Sequence, residues 1–187
     1  VISIGNITMG GTGKSPMIDW ILEYLKERQI RPVVLTRGYK AEKAEQLRIL
    51  DAQSADTGDS RIFGDEPWLI HKRHPDIRLY ISPDRTTSSK KAEKEADVLL
   101  LDDGMQHLKL HRDLNVVLID SLSGIGNGRL FPLGPLREPL SSLSRADVVV
   151  FTRTNLTPAE PLQDRLQPFI PKSAAQYRSR YLVQGLV

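Results

Sequence analysis

Residues 1–20 read VISIGNITMGGTGKSPMIDW. Val1, Ile2 and Ile4 form a short apolar strand that runs into a loop holding Gly10, Gly11 and Gly13. The loop closes on Lys14 and Ser15, and Pro16 sits where a helix opens. This is the order of parts that receives a polyphosphate. Glycines let successive N–H groups face inward as a nest, the lysine reaches the outer phosphates, and the serine hydroxyl is placed for a magnesium ion. The positive end of the following helix adds to the attraction. One position departs from the usual pattern: glycine is expected five residues before the Gly-Lys pair, and Thr8 stands there. A plain glycine turn ending in lysine is the alternative reading. Strand, three glycines, Lys-Ser and amphipathic helix occur in the required order, which favours a nucleotide-phosphate site over Thr8, Met9, Gly10, Gly11, Thr12, Gly13, Lys14 and Ser15.

Downstream, the pattern predicts a helix over 14–28, because Ile18, Ile21, Leu22 and Leu25 recur at i, i+3, i+4 and i+7. PVVLT at 32–36 is a near-continuous apolar run, as in a strand buried on both faces. Residues 41–45 and 51–59 are polar and read as a surface excursion. Gly64-Asp65-Glu66-Pro67 opens a helix, 77–82 is a strand, and a charged helix follows Asp84-Arg85 to about residue 95. DVLLLD at 97–102, NVVLID at 115–120 and DVVVFT at 147–152 are three further apolar strands. Residues 158–167 read as a short helix and 181–187 as another strand or a frayed end. Short apolar strands alternating with helices imply an α/β fold of the P-loop NTPase type, a mostly parallel sheet with helices on both faces. Ligands in such sheets lie at the carboxyl ends of strands. The loop after Ile4, Arg37-Gly38, Asp102-Asp103 and the segment after Asp120 all fall there.

The 187 residues suffice for one sizeable domain with a real core, and 40% hydrophobic with 26% charged residues is an ordinary globular balance. With no cysteine, disulfides and cysteine-based zinc sites are excluded. A formal charge of +3 suits a phosphorylated ligand or an anionic membrane surface and is too weak to argue for nucleic acid. There is no signal peptide and no apolar run long enough to span a bilayer. The chain opens on Val1 inside a strand, and is read as a piece of something longer.

Asp102 and Asp103 end a hydrophobic strand, where a phosphate-loop site draws a carboxylate for its metal. Acids also end buried strands merely by reaching water, but a Lys-Ser loop already calls for such a partner. Which of the two faces the ion is left open. Gly-Asp-Glu-Pro reads by pattern as a helix start with Asp65 as N-cap, Glu66 favoured by the helix dipole and proline in the first turn. The functional alternative makes Asp65 a general base for an attacking hydroxyl. Gln106 and His107 suit a role beside the substrate as well as a plain surface position. A His107–His111 zinc pair lacks a third ligand at suitable spacing, and His71 and His74 read as ordinary polar positions on a helix. GNGRLFPLGPLREP at 126–139, with three glycines and three prolines, is a shaped loop that projects Arg129 and Arg137 toward a phosphate or toward solvent.

Together, GNITMGGTGKSP, LTRGYK, GDEP, LDDGMQH and GNGRLFPLGPLREP, in this order between residues 5 and 139, closely resemble the tetraacyldisaccharide 4'-kinase family, the lipid A 4'-kinases of Gram-negative bacteria. That family shares the missing glycine at Thr8. The resemblance implies transfer of the ATP γ-phosphate to the 4'-hydroxyl of tetraacyldisaccharide 1-phosphate, with magnesium, at the cytoplasmic face of the inner membrane. Carried over, residues 8–15 bind ATP, with Lys14 on the phosphates and Ser15 on magnesium. Asp65 matches the family's catalytic base, which reverses the N-cap preference. Asp102 and Asp103 serve the metal and phosphates with Gln106 and His107 nearby, and Arg137 and Glu138 belong to the loop lining the site. The resemblance implies a P-loop kinase core at 1–152 and the start of a C-terminal part at 153–187. It also implies a membrane-docking segment before residue 1 and a supporting histidine after residue 187, so this piece is expected to bind nucleotide and be a poor kinase. A nucleotide-driven switch or scaffold, using the same loop without a lipid acceptor, is the competing function, and a kinase of a soluble hydroxyl substrate is a third. Oligomeric state is not legible.

Overall fold

The computed structural model describes residues 1–38, 46–54 and 59–182. The expected excursion at 41–45, residues 55–58 of the polar stretch, Tyr39 and Lys40 of LTRGYK, and 183–187 of the expected last strand lie outside the described residues. The chain divides into two compact units, Val1–Ile4 with Lys14–Asp113, and Gly5–Gly13 with Leu114–Val187.

The first unit holds β1 (Ile2–Gly5), α1 (Lys14–Glu27), β2 (Pro32–Thr36), β3 (Arg48–Leu50), α2 (Ser60–Phe63), α3 (Asp65–Arg73), β4 (Arg78–Ile81), α4 (Arg85–Ala92) and β5 (Val98–Asp102). Its strands run in the order β3-β4-β2-β5-β1. All neighbours are parallel except β3, which lies antiparallel on β4 at the edge. Ile4 pairs with Asp102 and Leu35 with Leu101, so β1, β2 and β5 end level with one another. That register sets Thr36 and Asp102 side by side at the strand ends, while the residue after β5 opens onto the same edge.

Every residue of β2 is buried, and so are Leu99, Leu100 and Leu101 of β5, as expected of parallel strands covered on both faces. Val33, Leu35, Tyr80, Ala92, Leu99 and Leu101 form one packed cluster. On α1, Ile18, Ile21, Leu22 and Leu25 are buried, while Trp20 and Tyr24 stack on one another in solvent. The helix closes at Gln29, which takes φ 58°, with Gln29 N–H on the Lys26 carbonyl and Ile30 N–H on that of Leu25. This left-handed residue satisfies carbonyls that the helix end would otherwise leave bare.

The second unit holds β6 (Leu114–Asp120), β7 (Val148–Thr152), α5 (Glu160–Leu166) and β8 (Ala175–Arg178), with 3-10 turns at Leu140–Arg145 and Gln167–Phe169. The three strands are parallel, and Asp120 pairs with Thr152. The glycine loop 5–13 is tied to the proline-rich loop. Met9 N–H donates to Pro135 at 2.7 Å, Arg137 N–H donates to Ile7 at 2.7 Å, and Thr8 bridges Leu136.

Candidate phosphate and metal site

In the first unit, Lys14 begins α1, and its ammonium lies 3.6 Å from the Asp103 carboxylate. Asp103 stands just past β5 in the left-handed region, φ 49°. The chain can turn there because Gly104 follows. A Cβ at Gly104 would fall 2.4 Å from Ser3 Oγ and 2.7 Å from the Leu101 side chain. Gly104 N–H also donates to the Ile4 carbonyl, which binds the turn to the end of β1. Asp102, the last residue of β5, is buried and accepts a hydrogen bond from Thr36 Oγ1 at 2.9 Å. Burial, then the nearby Glu66 charge, push its carboxyl up to about 6, with Asp103 acting in the same sense and Thr36 and Lys14 opposing them.

Glu66 comes from the first turn of α3. Glu66 and Asp103 thus both act on the buried Asp102, and Lys14 opposes them. Asp65 is the first residue of α3 and is exposed. The turn after Gly104 carries Gln106 and His107, with His107 N–H on the Gly104 carbonyl. Burial, then the neighbouring Arg85, hold the His107 imidazole below its usual pKa. Arg85 itself is buried at the start of α4, whose N-cap Asp84 accepts from Thr86 and Thr87 N–H.

In the second unit, the loop's carbonyls are held from several directions. Asn6 Nδ2 donates to the Thr8 carbonyl at 2.7 Å, Arg153 Nη2 to that of Gly11 at 3.0 Å, and Thr152 Oγ1 to that of Thr12 at 2.9 Å. Gly10 and Gly13 adopt φ 102° and 91°, which L side chains rarely take. Arg137 reaches Asn6 Oδ1 at 3.4 Å, and Glu138 is ion-paired with Arg145. Around them, Leu130, Phe131 and Leu133 of the proline-rich loop are exposed, and Gly134 has no room for a Cβ, which would meet the Arg129 carbonyl oxygen at 2.4 Å.

The profile of the family described as Tetraacyldisaccharide-1-P 4'-kinase matches residues 1–184. This chain belongs to that family. The tetraacyldisaccharide 4'-kinase of Syntrophotalea carbinolica is 43% identical over 155 residues, covering 82% of this chain and 43% of the relative. That of Pseudomonas putida strain GB-1 is 46% identical over 172 residues, covering 90% of this chain and 50% of the relative. The chain thus spans about half the length of the curated relatives it matches. Among solved structures, LpxK from Aquifex aeolicus in complex with ATP superposes with TM-score 0.78 at 33% identity, over 95% of this chain and 52% of that one. The hydrogenase maturation factor HypB of Archaeoglobus fulgidus, with TM-score 0.53 and 13% identity over 95% of this chain and 80% of that one, shares the fold alone. The α/β P-loop NTPase fold and the family read from the motifs are both borne out.

Several local readings change. Asp65 is not an N-cap: Gly64, at φ 92° and ψ 152°, precedes the helix without any side-chain cap, and Asp65 and Glu66 are first-turn acids. Residues 103–113 contain no helix, so His107 and His111 do not form a helical pair. His71 and His74 are buried, not ordinary polar positions. His74 Nε2 sits 3.1 Å from Asp19 Oδ1, and His71 packs beside Trp68. Thr36, the electrostatic reach of Glu66, and the grip of Thr152 and Arg153 on the loop were missed. Thr36 was visible in LTRG at a strand end, whereas the other contacts join residues far apart in the sequence.

The donor set suits a magnesium ion. Asp102 and Asp103 offer hard oxygens beside Lys14, the chemistry such an ion takes, and Ser15 is the second residue of α1. Among the described residues no three His, Asp or Glu side chains close on one point. Magnesium ordinarily keeps water and phosphate oxygens as its remaining ligands.

Proposed function

We propose that this chain carries the nucleotide and phosphoryl-transfer site of a tetraacyldisaccharide 4'-kinase. The reaction moves the γ-phosphate of ATP to the 4'-hydroxyl of tetraacyldisaccharide 1-phosphate at the cytoplasmic face of the inner membrane. The hydroxyl oxygen forms a bond to the γ-phosphorus, the bond from that phosphorus to the β-bridging oxygen breaks, and ADP leaves. Asp65, exposed at the start of α3, takes the hydroxyl proton. Thr8, Met9, Gly10, Gly11, Thr12 and Gly13 cradle the phosphates through backbone N–H groups, and Lys14 neutralises their outer oxygens. Ser15, Asp102 and Asp103 would hold a magnesium ion, which would neutralise charge on the phosphate oxygens when bound. Gln106 and His107 stand on the acceptor side, and Arg137 and Glu138 shape the loop beside the glycine loop.

The observation that carries the reading is the convergence of Lys14 with Asp102, Asp103 and Glu66 at the level ends of β1 and β5, in a chain of this family. Among the described residues no helix is long and apolar enough to cross a membrane.

The test is transfer of radiolabelled γ-phosphate to tetraacyldisaccharide 1-phosphate with magnesium, using the full-length protein and its Asp65→Asn form. Loss of a general base predicts a fall of about 10²–10⁴-fold in transfer, with ATP affinity nearly unchanged. Label absent from the lipid with the unsubstituted protein, or unaltered transfer by Asp65→Asn, defeats the proposal.

A further inference from the structure

Two consecutive residues at the end of β7 hold two consecutive carbonyls of the glycine loop. Thr152 Oγ1 donates to the Thr12 carbonyl at 2.9 Å, a buried bond, and Arg153 Nη2 donates to the Gly11 carbonyl at 3.0 Å. A peptide unit is planar and trans, so its C=O and N–H point in opposite directions. Tying the Gly11 carbonyl therefore turns the Thr12 N–H the other way, and tying the Thr12 carbonyl does the same for the Gly13 N–H. Those are N–H groups of the stretch that would form the anion nest.

The donors are themselves held. Asp120 is fully buried, and its carboxylate accepts from Arg153 Nε at 2.6 Å, from Arg153 Nη2, from Ser123 N–H at 2.9 Å and from Leu122 N–H at 3.2 Å. The Asp120↔Thr152 register places this carboxylate beside the residue preceding Arg153. Arg153 adopts φ 56°, an unfavourable conformation for a side chain of its size, which persists only where surrounding contacts impose it. On the same loop, a Cβ at Gly13 would fall 2.1 Å from the Tyr181 hydroxyl, and Asn155 exchanges two 3.1 Å hydrogen bonds with the Tyr181 backbone. The loop is thus braced by the residues that follow β7 and by the segment that follows β8.

We infer that Thr152 and Arg153, with Asp120 as the anchor of Arg153, are positioning residues that set the glycine loop in the shape that receives the triphosphate of a nucleotide. The inference rests on the nucleotide reading above. It differs from direct recognition of the base or ribose, because these side chains act through the loop's carbonyls. Their removal therefore weakens binding of the phosphate chain whether or not a nucleoside is attached.

The test is calorimetric affinity for ATP and for inorganic tripolyphosphate, each with magnesium, measured well below the melting midpoint so that global stability does not enter. Thr152→Val, which keeps the shape and removes the hydroxyl, is expected to weaken both ligands alike, by about two- to tenfold, the worth of one hydrogen bond. Thr152→Ser restores both. Arg153→Lys, which keeps a cation for Asp120 and loses the fork, is expected to weaken both further. Unchanged affinity in Thr152→Val overturns the inference while leaving the nucleotide reading intact. Loss for ATP with none for tripolyphosphate also overturns it, in favour of a direct nucleoside contact. Failure of the unsubstituted protein to bind ATP defeats the nucleotide reading itself.

Discussion

Asp102→Asn separates what the buried carboxylate costs the fold from what it supplies to chemistry. Asp102 is only 4% exposed, and its carboxyl is raised from 3.8 to about 6 by burial and by the neighbouring Glu66 and Asp103 charges. Between pH 4 and 6 the unfolded chain has released this proton while the folded chain keeps it. Stability attributable to this group therefore falls as pH rises through that window and is level above it. The gap from 3.8 to about 6, at about 1.4 kcal/mol per tenfold, amounts to about 3 kcal/mol. Asparagine is neutral at every pH and still offers an oxygen to Thr36 Oγ1. In the metal-free chain the variant is therefore expected to be more stable than the parent at pH 8 by up to about 3 kcal/mol. For a chain of this size that corresponds to a rise of about 6–12 °C in melting midpoint. Near pH 4, where the parent carboxyl is protonated, the difference closes. The assay is thermal and urea unfolding at both pH values in EDTA, with phosphoryl transfer by the full-length protein measured alongside and expected to fall at least about 100-fold. A variant less stable than the parent at pH 8, or a gain that is equal at pH 4 and pH 8, refutes the reasoning.

Two further substitutions test other parts of the same unit. Lys14→Met removes a cation that draws Asp102 down, so the Asp102 midpoint, followed by carboxyl NMR, is expected to move above about 6, and ATP affinity to fall about 10–100-fold with the lost charge-assisted contact. Gly104→Ala places a methyl group 2.4 Å from Ser3 Oγ and 2.7 Å from Leu101, and a loss of about 1–3 kcal/mol in urea unfolding is expected; an unchanged midpoint would show that the turn after β5 yields freely.

The sequence was most legible where burial is complete. PVVLT, VLLLD and NVVLID are apolar runs because both sides of each strand are covered, and their strands fall within a residue or two of the expected limits. It was least legible at the margins. β3 is three residues long, and β8 reads Ala-Gln-Tyr-Arg with half-buried and exposed positions, so neither carries an apolar or alternating signal. β8, at 175–178, was not expected, because it continues the parallel ladder on β7 and not a local apolar run. His71 and His74 look polar in the sequence, yet the C-cap of α3 turns His74 toward Asp19 on α1, an acid 55 positions away. Within the candidate site the pattern named the residues that carry charge. It did not show that Glu66 raises Asp102, or that Thr152 and Arg153 hold the loop. The first depends on where α3 begins relative to the end of β5 and the second on where β7 ends relative to the glycine loop, and neither is written in those residues themselves.

The places where this chain breaks local rules argue for function more strongly than any single motif. Three non-glycine residues among those described take positive φ: Gln29, Asp103 and Arg153. Gln29 is explained by closing α1, since its N–H and that of Ile30 cap the last turn. The other two close no helix. Asp103 is left-handed directly after a strand, next to a buried carboxylate, and Arg153 is left-handed directly after another strand, where it reaches a loop carbonyl and a buried acid. Strain and desolvated charge of this kind are retained where the surrounding structure imposes them for a task. In the first unit that place is the level ends of β1 and β5, and in the second it is the glycine loop.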